Sequence, residues 1–175
     1  MRTHFSQWFS IVLMVSAAQA WADARESVIG RWAGDRSILE ISEHAGQLSA
    51  RVIALDDPVY SEGEEFGPVG AARRDDLNPD ATMRQQPILG IELLSDYRFE
   101  GGKWQGRIYD PESGNVYSSN MRVAGNGELK MRGYLGIPMF GRTASFAPLH
   151  TCTDHAKEMF ALANIEADLE AEACE

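Results

Sequence analysis

The stretch Gly102-Lys103-Trp104-Gln105-Gly106-Arg107-Ile108-Tyr109-Asp110-Pro111-Glu112-Ser113-Gly114-Asn115-Val116-Tyr117 decides the fold. Its first half alternates Trp104, Gly106 and Ile108 with Gln105, Arg107 and Tyr109, the two-residue period of a strand with one apolar face. Asp110 to Asn115 then supplies Asp, Pro, Ser, Gly and Asn, the residues that preset a bend or tolerate a left-handed backbone, so a hairpin turn is predicted there. The returning strand repeats the alternation. Tyr117, Ser119, Met121 and Val123 share one face, Val116, Ser118, Asn120 and Arg122 the other. A third strand places Leu129, Met131, Gly133 and Leu135 opposite Lys130, Arg132 and Tyr134. Burying Arg107, Arg122 and Arg132 without partners would cost several kcal/mol each. The apolar face is therefore expected to be the interior, and Trp104 to be shielded.

Working outward, the same rhythm predicts eight strands, over residues 28–32, 37–42, 47–55, 88–95, 103–109, 116–123, 128–135 and 143–149. Short Gly and Asn turns separate most of them, so sequential strands should pair antiparallel. Eight meandering strands would leave two exposed edges, and closing them into a barrel removes both. One segment breaks the rhythm, the charged, Pro- and Gly-rich stretch 56–86. It has few apolar anchors, namely Val59, Tyr60, Phe66, Val69 and Leu77, and is expected to be mobile and the first site of proteolysis.

The 175 residues carry a formal charge of -10, with 44% hydrophobic and 24% charged residues. That composition fits one folded domain, and the negative charge excludes nucleic acid, whose binding depends on Lys and Arg displacing counterions. Residues 1–22 read as an export signal: Arg2, an apolar run from Trp8 to Ala18, then small residues that place cleavage after residue 20 or 22. The apolar run is too short to span a bilayer, which takes about 20 residues. A periplasmic or secreted protein is expected, with no membrane insertion once the signal is gone. Cleavage leaves 15 basic residues against 26 acidic ones, a charge of -11. The barrel domain is expected over 23–150, and residues 151–175 form an acidic tail of helical composition with an apolar stripe at Met159, Leu162 and Leu169.

Two cysteines, Cys152 and Cys174, bracket that tail. In an oxidising compartment they are expected to bridge. A single straight helix of 22 residues between them would hold them roughly 33 Å apart, and a disulfide needs about 7 Å or less. The chain folds back, or the bridge joins two chains into a homodimer through the tail, or the thiols stay free. The tail's seven acids against Lys157 would also suit docking on the outward stripe Arg107, Arg122 and Arg132.

No nucleophile elbow, phosphate loop, dinucleotide fingerprint or zinc-protease helix occurs, so no enzyme activity and no cofactor are expected. Asp76-Leu77-Asn78-Pro79-Asp80 begins like a calcium loop, but Ala81 and Pro87 stand where Gly and Glu are required. An Asn-Pro turn explains it. His150, Cys152, Asp154 and His155 crowd four potential metal ligands into six residues. Bridging of Cys152 and helix capping by Asp154 account for them without a metal.

The deciding stretch continues into Leu129-Lys130-Met131-Arg132-Gly133-Tyr134-Leu135-Gly136 and Phe140-Gly141-Arg142-Thr143. Together with Gly30-Arg31-Trp32, with Asp76 and Asn78-Pro79, and with Pro87-Ile88-Leu89-Gly90, this order resembles the exported bacterial proteins grouped as domain of unknown function 2147, over roughly 28–149. The chain departs from that pattern at Ser118-Ser119, where many members have Cys, and at Phe146-Ala147-Pro148, in place of Trp-x-Arg. The resemblance implies an all-β, eight-stranded, antiparallel lipocalin-like (calycin) barrel, here with a C-terminal α-helical tail, and brings no established activity. Trp32, Trp104, Tyr109, Tyr117, Arg132, Tyr134, Phe140 and Arg142 are the candidate ligand contacts. Tyr109, Tyr134, Arg132 and Arg142 are the ones that packing explains least, and they would line a polar entrance. The expected function is non-enzymatic binding of a small hydrophobic or amphipathic molecule. The alternative is a structural or interaction protein of the cell envelope with a filled barrel and a functional exterior.

Overall fold

The structure, a computed structural model, describes residues 22–151 and 153–163. Eight antiparallel strands run in chain order: β1 (Gly30–Ala33), β2 (Ser37–His44), β3 (Gln47–Leu55), β4 (Leu94–Glu100), β5 (Lys103–Asp110), β6 (Asn115–Val123), β7 (Leu129–Tyr134) and β8 (Arg142–Pro148). The sheet order β3-β2-β1-β8-β7-β6-β5-β4 pairs every strand with its sequence neighbour except at the β3/β4 seam, and pairs β1 with β8. The seam is stitched by residues just ahead of β4. Gly90 N–H donates to Val52 O (2.8 Å), Val52 N–H to Ile91 O (3.2 Å) and Leu93 N–H to Ala50 O (2.8 Å). The result is a nearly closed barrel, as the alternation and the edge argument predict.

The three deciding strands bury the expected face. Trp104, Ser119, Met121, Leu129 and Met131 are buried, while Arg107 and Arg122 face solvent. Leu135 is the exception and lies exposed, because β7 stops at Tyr134 and the left-handed Gly136 (φ 74) turns the chain outward. The fourth strand is also displaced, from the predicted 88–95 to Leu94–Glu100. Ile88, Ile91 and Leu93 are apolar because they pack into the core as an irregular turn after Pro87. The true β4 is mostly polar because one of its faces is wet.

Two irregularities position side chains. β4 carries an extra residue opposite Gly106, with Asp96 in the left-handed region (φ 58). That bulge lays the Tyr97 ring over Gly106, so close that a β-carbon there would stand 2.4 Å from the ring, and the Tyr97 hydroxyl meets Ser119 Oγ at 2.7 Å. With Trp104, Met121 and Leu129, all buried, Tyr97 belongs to the main core cluster. The second bulge is Ile53 on β3, between the pairs Leu39↔Val52 and Ile38↔Ala54. It shifts the alternation by one, so Leu39 and Val52 join the main core while Ile38 and Ala54 leave it for a satellite cluster.

That cluster receives helix α1 (Asp154–Leu162), whose Thr153 cap accepts from Ala156 N–H at 3.2 Å. Ala156, Met159 and Phe160 bury against Ile38, Ala54 and Leu149. The predicted tail helix and its Met159 contact are present, but Phe160 rather than the exposed Leu162 completes the buried face. The described part of the helix docks on β2 and β3, not on the Arg107, Arg122 and Arg132 stripe. Apolar burial at the bulge outweighs exposed charge pairing, which contributes about 1 kcal/mol or less per pair. Cys152, Cys174 and Leu169 lie outside the described residues. Among the described residues no helix is long and apolar enough to cross a membrane.

Candidate functional site

One end of the barrel carries the turn 34–36, the long connection 56–87, the turn 111–114 and the loop 135–141. Beneath them lies a cavity of about 470 Å³, within the range of small-molecule sites (about 300–1,000 Å³). Leu39, Val52 and Leu55 from β2 and β3, Ile88 and Leu93 from the seam, Ile108 from β5, Met131 from β7 and Phe146 from β8 make its walls. The rim carries Arg36, Arg73 and Arg74 with Asp56, Asp57, Asp76, Asp110 and Glu112. Three positive against five negative charges leave the mouth at -2.

The connection 56–87 is folded onto this end, with bonds of its own where the composition suggests a mobile loop. Backbone bridges pair Val59 with Ala72 and Arg74 with Pro87. Tyr60, buried, donates its hydroxyl to Asp76 and accepts from Arg74 N–H at 3.0 Å. Arg73 stacks 5.3 Å over the Tyr60 ring and ties together Asp57, Glu64 (2.7 Å) and the Asp57 carbonyl (2.9 Å). Part of the segment's polar character is satisfied internally, while residues 61–70 stay exposed. Residues 56–87 are called the lid below.

The lid is latched to the barrel at Asp75, a fully buried acidic side chain. Tyr109 Oη donates to it at 2.6 Å, Asn78 Nδ2 at 2.6 Å and Gln86 Nε2 at 3.4 Å. Burying a carboxylate is tolerable only with such donors. Gly114 completes the contact: its missing β-carbon would fall 2.0 Å from Leu77 O. The segments Asp76 to Pro79 and Tyr109 to Gly114, which look unrelated in sequence, are thus two halves of one joint.

The apparent calcium ligands serve the same purpose. Asp76 pairs with Tyr60, Asn78 with Asp75, and Asp80 accepts from Thr82 N–H at 2.9 Å. His155 Nε2 lies 2.8 Å from Asp35 O, joining α1 to the first turn. Among the described residues, no three His, Cys, Asp or Glu side chains converge as a metal site requires.

Burial, together with the bonds to Asp75 and Asp76, pushes the Tyr109 and Tyr60 phenols above their ordinary value near 10, and burial, with a smaller push from the neighbouring Tyr134, raises Tyr97 against the Ser119 bond. An unfolded chain ionises these phenols at the ordinary value while the folded one keeps them protonated. The stability they contribute is therefore complete below about pH 10 and lost as pH rises through the folded values. Followed by phenolate absorbance, Tyr60, Tyr97 and Tyr109 should ionise late and together with unfolding. Tyr109→Phe should remove one equivalent from that phase. Early ionisation of Tyr109 would show that the latch is open in solution.

Of the eight sequence candidates, Tyr109 alone lines the cavity. Trp32 is core, its Nε1 donating to Val28 O at 2.9 Å, and it borders a second, shallower depression with Ile29 and His150. Trp104 is buried at the far end of the barrel, where its Nε1 donates to Arg25 O at 3.0 Å. Tyr117 lies opposite Ile108 and meets Ser113 Oγ at 3.2 Å. Tyr134 ends β7 half-buried. Arg132 braces the β7–β8 loop, donating to Pro138 O at 2.8 Å and Thr143 Oγ1 at 2.9 Å. Phe140 and Arg142 stand exposed on and beside that loop. The cavity walls were missed because Leu, Ile, Val and Met in alternation carry no mark beyond that of any core residue.

A family model described as an uncharacterised protein conserved in bacteria (DUF2147) matches residues 27–147. No curated protein matches the chain. Among solved structures, the chain is similar to HP1028 from the human pathogen Helicobacter pylori, described as belonging to the lipocalin family. That match has 21% identity and a TM-score of 0.57, and covers 85% of this chain and 98% of the other. At that identity the likeness concerns the fold alone.

Proposed function

The chain belongs to the family of uncharacterised bacterial proteins designated DUF2147, and on that premise we propose that it is an exported, non-enzymatic carrier of a small hydrophobic or amphipathic molecule. The observation that supports this reading is the apolar cavity under the latched lid, since walls of Leu, Ile, Val, Met and Phe offer an apolar ligand burial at about 25 cal/mol per Å². The lipocalin-like barrel is consistent with it. The rim's charge of -2 favours a neutral or cationic polar end over a free carboxylate. A fatty-acid anion is therefore a poorer fit than an uncharged amphiphile.

Titration with an uncharged, environment-sensitive apolar dye should give saturable binding. Ala144, on the mouth side of the cavity wall and exposed, can be enlarged without overpacking the core. Ala144→Trp should weaken dye binding by at least about tenfold, equivalent to roughly 1.4 kcal/mol, while leaving the thermal midpoint in place. Absence of saturable binding by several uncharged probes would sink the carrier reading and favour an envelope interaction protein working through its exterior.

A further inference from the structure

The loop between β7 and β8 ends in an apolar tip. Leu135, Ile137, Met139 and Phe140 are 69%, 52%, 74% and 77% exposed, and residues 135–140 include no polar side chain. The tip is built, not collapsed. The Arg132 guanidinium donates to Pro138 O at 2.8 Å and Met139 O at 3.2 Å, while Gly141 N–H closes on Pro138 O at 3.1 Å. These bonds satisfy the turn's backbone and hold its large side chains in water, a cost that a partner surface would remove.

The flanks of the tip itself are basic. Arg132 and the exposed Arg142 bracket it, with no acid between them, in a protein of net charge -10. We propose that this loop docks the protein on the surface of a phospholipid bilayer, with the apolar side chains in the acyl boundary and the exposed Arg142 against lipid phosphates. Interfacial helices use the same division of labour, apolar residues inward and basic residues at headgroup level. This is surface attachment, distinct from a membrane span.

A second copy of the chain fits less well, because a six-residue tip falls far short of the roughly 800 Å² per partner that stable interfaces bury. The net charge and the acids of the neighbouring lid oppose a strongly anionic surface. A zwitterionic bilayer, carrying phosphates without net charge, suits both the arginine and the acids. The proposal is independent of whether the cavity is filled. The tip and the cavity share one end of the barrel, so docking would turn the mouth toward lipid.

The test is flotation of the protein as its own cells produce it, its N-terminus fixed by mass spectrometry, with phosphatidylcholine vesicles and with vesicles containing added phosphatidylglycerol. The protein should float with phosphatidylcholine. Met139→Ser with Phe140→Ser should weaken that at least about tenfold, with dye binding unchanged. Phosphatidylglycerol should reduce recovery at low salt, and added salt should restore it. Leu135→Ser with Ile137→Ser should reproduce the loss if the first pair fails to fold. The proposal is overturned by absence of flotation, by equal flotation of wild type and both variants, by preference for phosphatidylglycerol, or by a dimer that the substitutions dissolve.

Discussion

Trp104→Ala should lower the unfolding free energy by about 3–5 kcal/mol, the range for removing a buried large aromatic side chain. The indole is 1% exposed, meets Phe99 edge-to-face at 5.6 Å, lies 5.3 Å beneath the Arg25 guanidinium and donates to Arg25 O at 3.0 Å. Truncation leaves a void and an unpaired carbonyl together. Since a domain is stable by only about 5–15 kcal/mol, much of the reserve goes. Urea titration should show a lower midpoint with an unchanged slope. Dye binding by the folded fraction should keep its affinity, because Trp104 does not line the cavity. A loss under about 1 kcal/mol would contradict the packing described, and a large loss of dye affinity would contradict the separation of core from cavity.

Gly114→Ala should release the lid. The added methyl would stand 2.0 Å from Leu77 O and 2.9 Å from its carbonyl carbon, at a residue with φ 67. Backbone strain alone costs a non-glycine residue roughly 1–2 kcal/mol in this region. Neither partner can yield cheaply, since the obstacle is backbone. Gly127 provides the control: φ is 82, but nothing lies within 4 Å of its would-be β-carbon. Gly127→Ala should therefore pay the strain and leave the lid in place. Limited trypsin digestion should cut Gly114→Ala after Arg73, Arg74 or Arg84 at least about tenfold faster than wild type, as expected when about 1.4 kcal/mol or more of latch stability is lost. Equal rates for the two alanine variants would show that the contact between Leu77 and the hairpin does not hold the lid.

The lid is also where composition and tertiary contacts point in different directions. Prolines, glycines and charges over 56–86 are the composition of a disordered insert, and by composition alone mobility follows. The structure pairs those charges with one another and with Tyr60, and buries Asp75 against Tyr109. Such satisfaction depends on residues up to 34 positions apart being brought within 3 Å. No local pattern announces it. Aromatic and arginine residues stood out as candidate contacts because their chemistry is conspicuous, yet Trp32, Trp104 and Arg132 are held by structural bonds.

What the sequence determined by itself was the barrel. Strict alternation over 103–109 and 116–123 fixes which face is buried, because a slip by one residue would put Arg107 or Arg122 in the core. Turn residues at 101–102, 110–115 and 125–127 fix the pairing of neighbours, since short connections leave no other partner within reach. These are nearest-neighbour constraints and can be read along the chain. The tertiary structure alone decided the rest. The bulges at Ile53 and Asp96 depend on how two strands count against each other. The helix docks where the Ile53 bulge turns Ile38 and Ala54 out of the main core, and the cavity lies where the core packed around Tyr97 and Trp104 gives way to open space under the lid. A void is a property of how volumes fit across a barrel, and no residue carries a sign that the space beside it is empty.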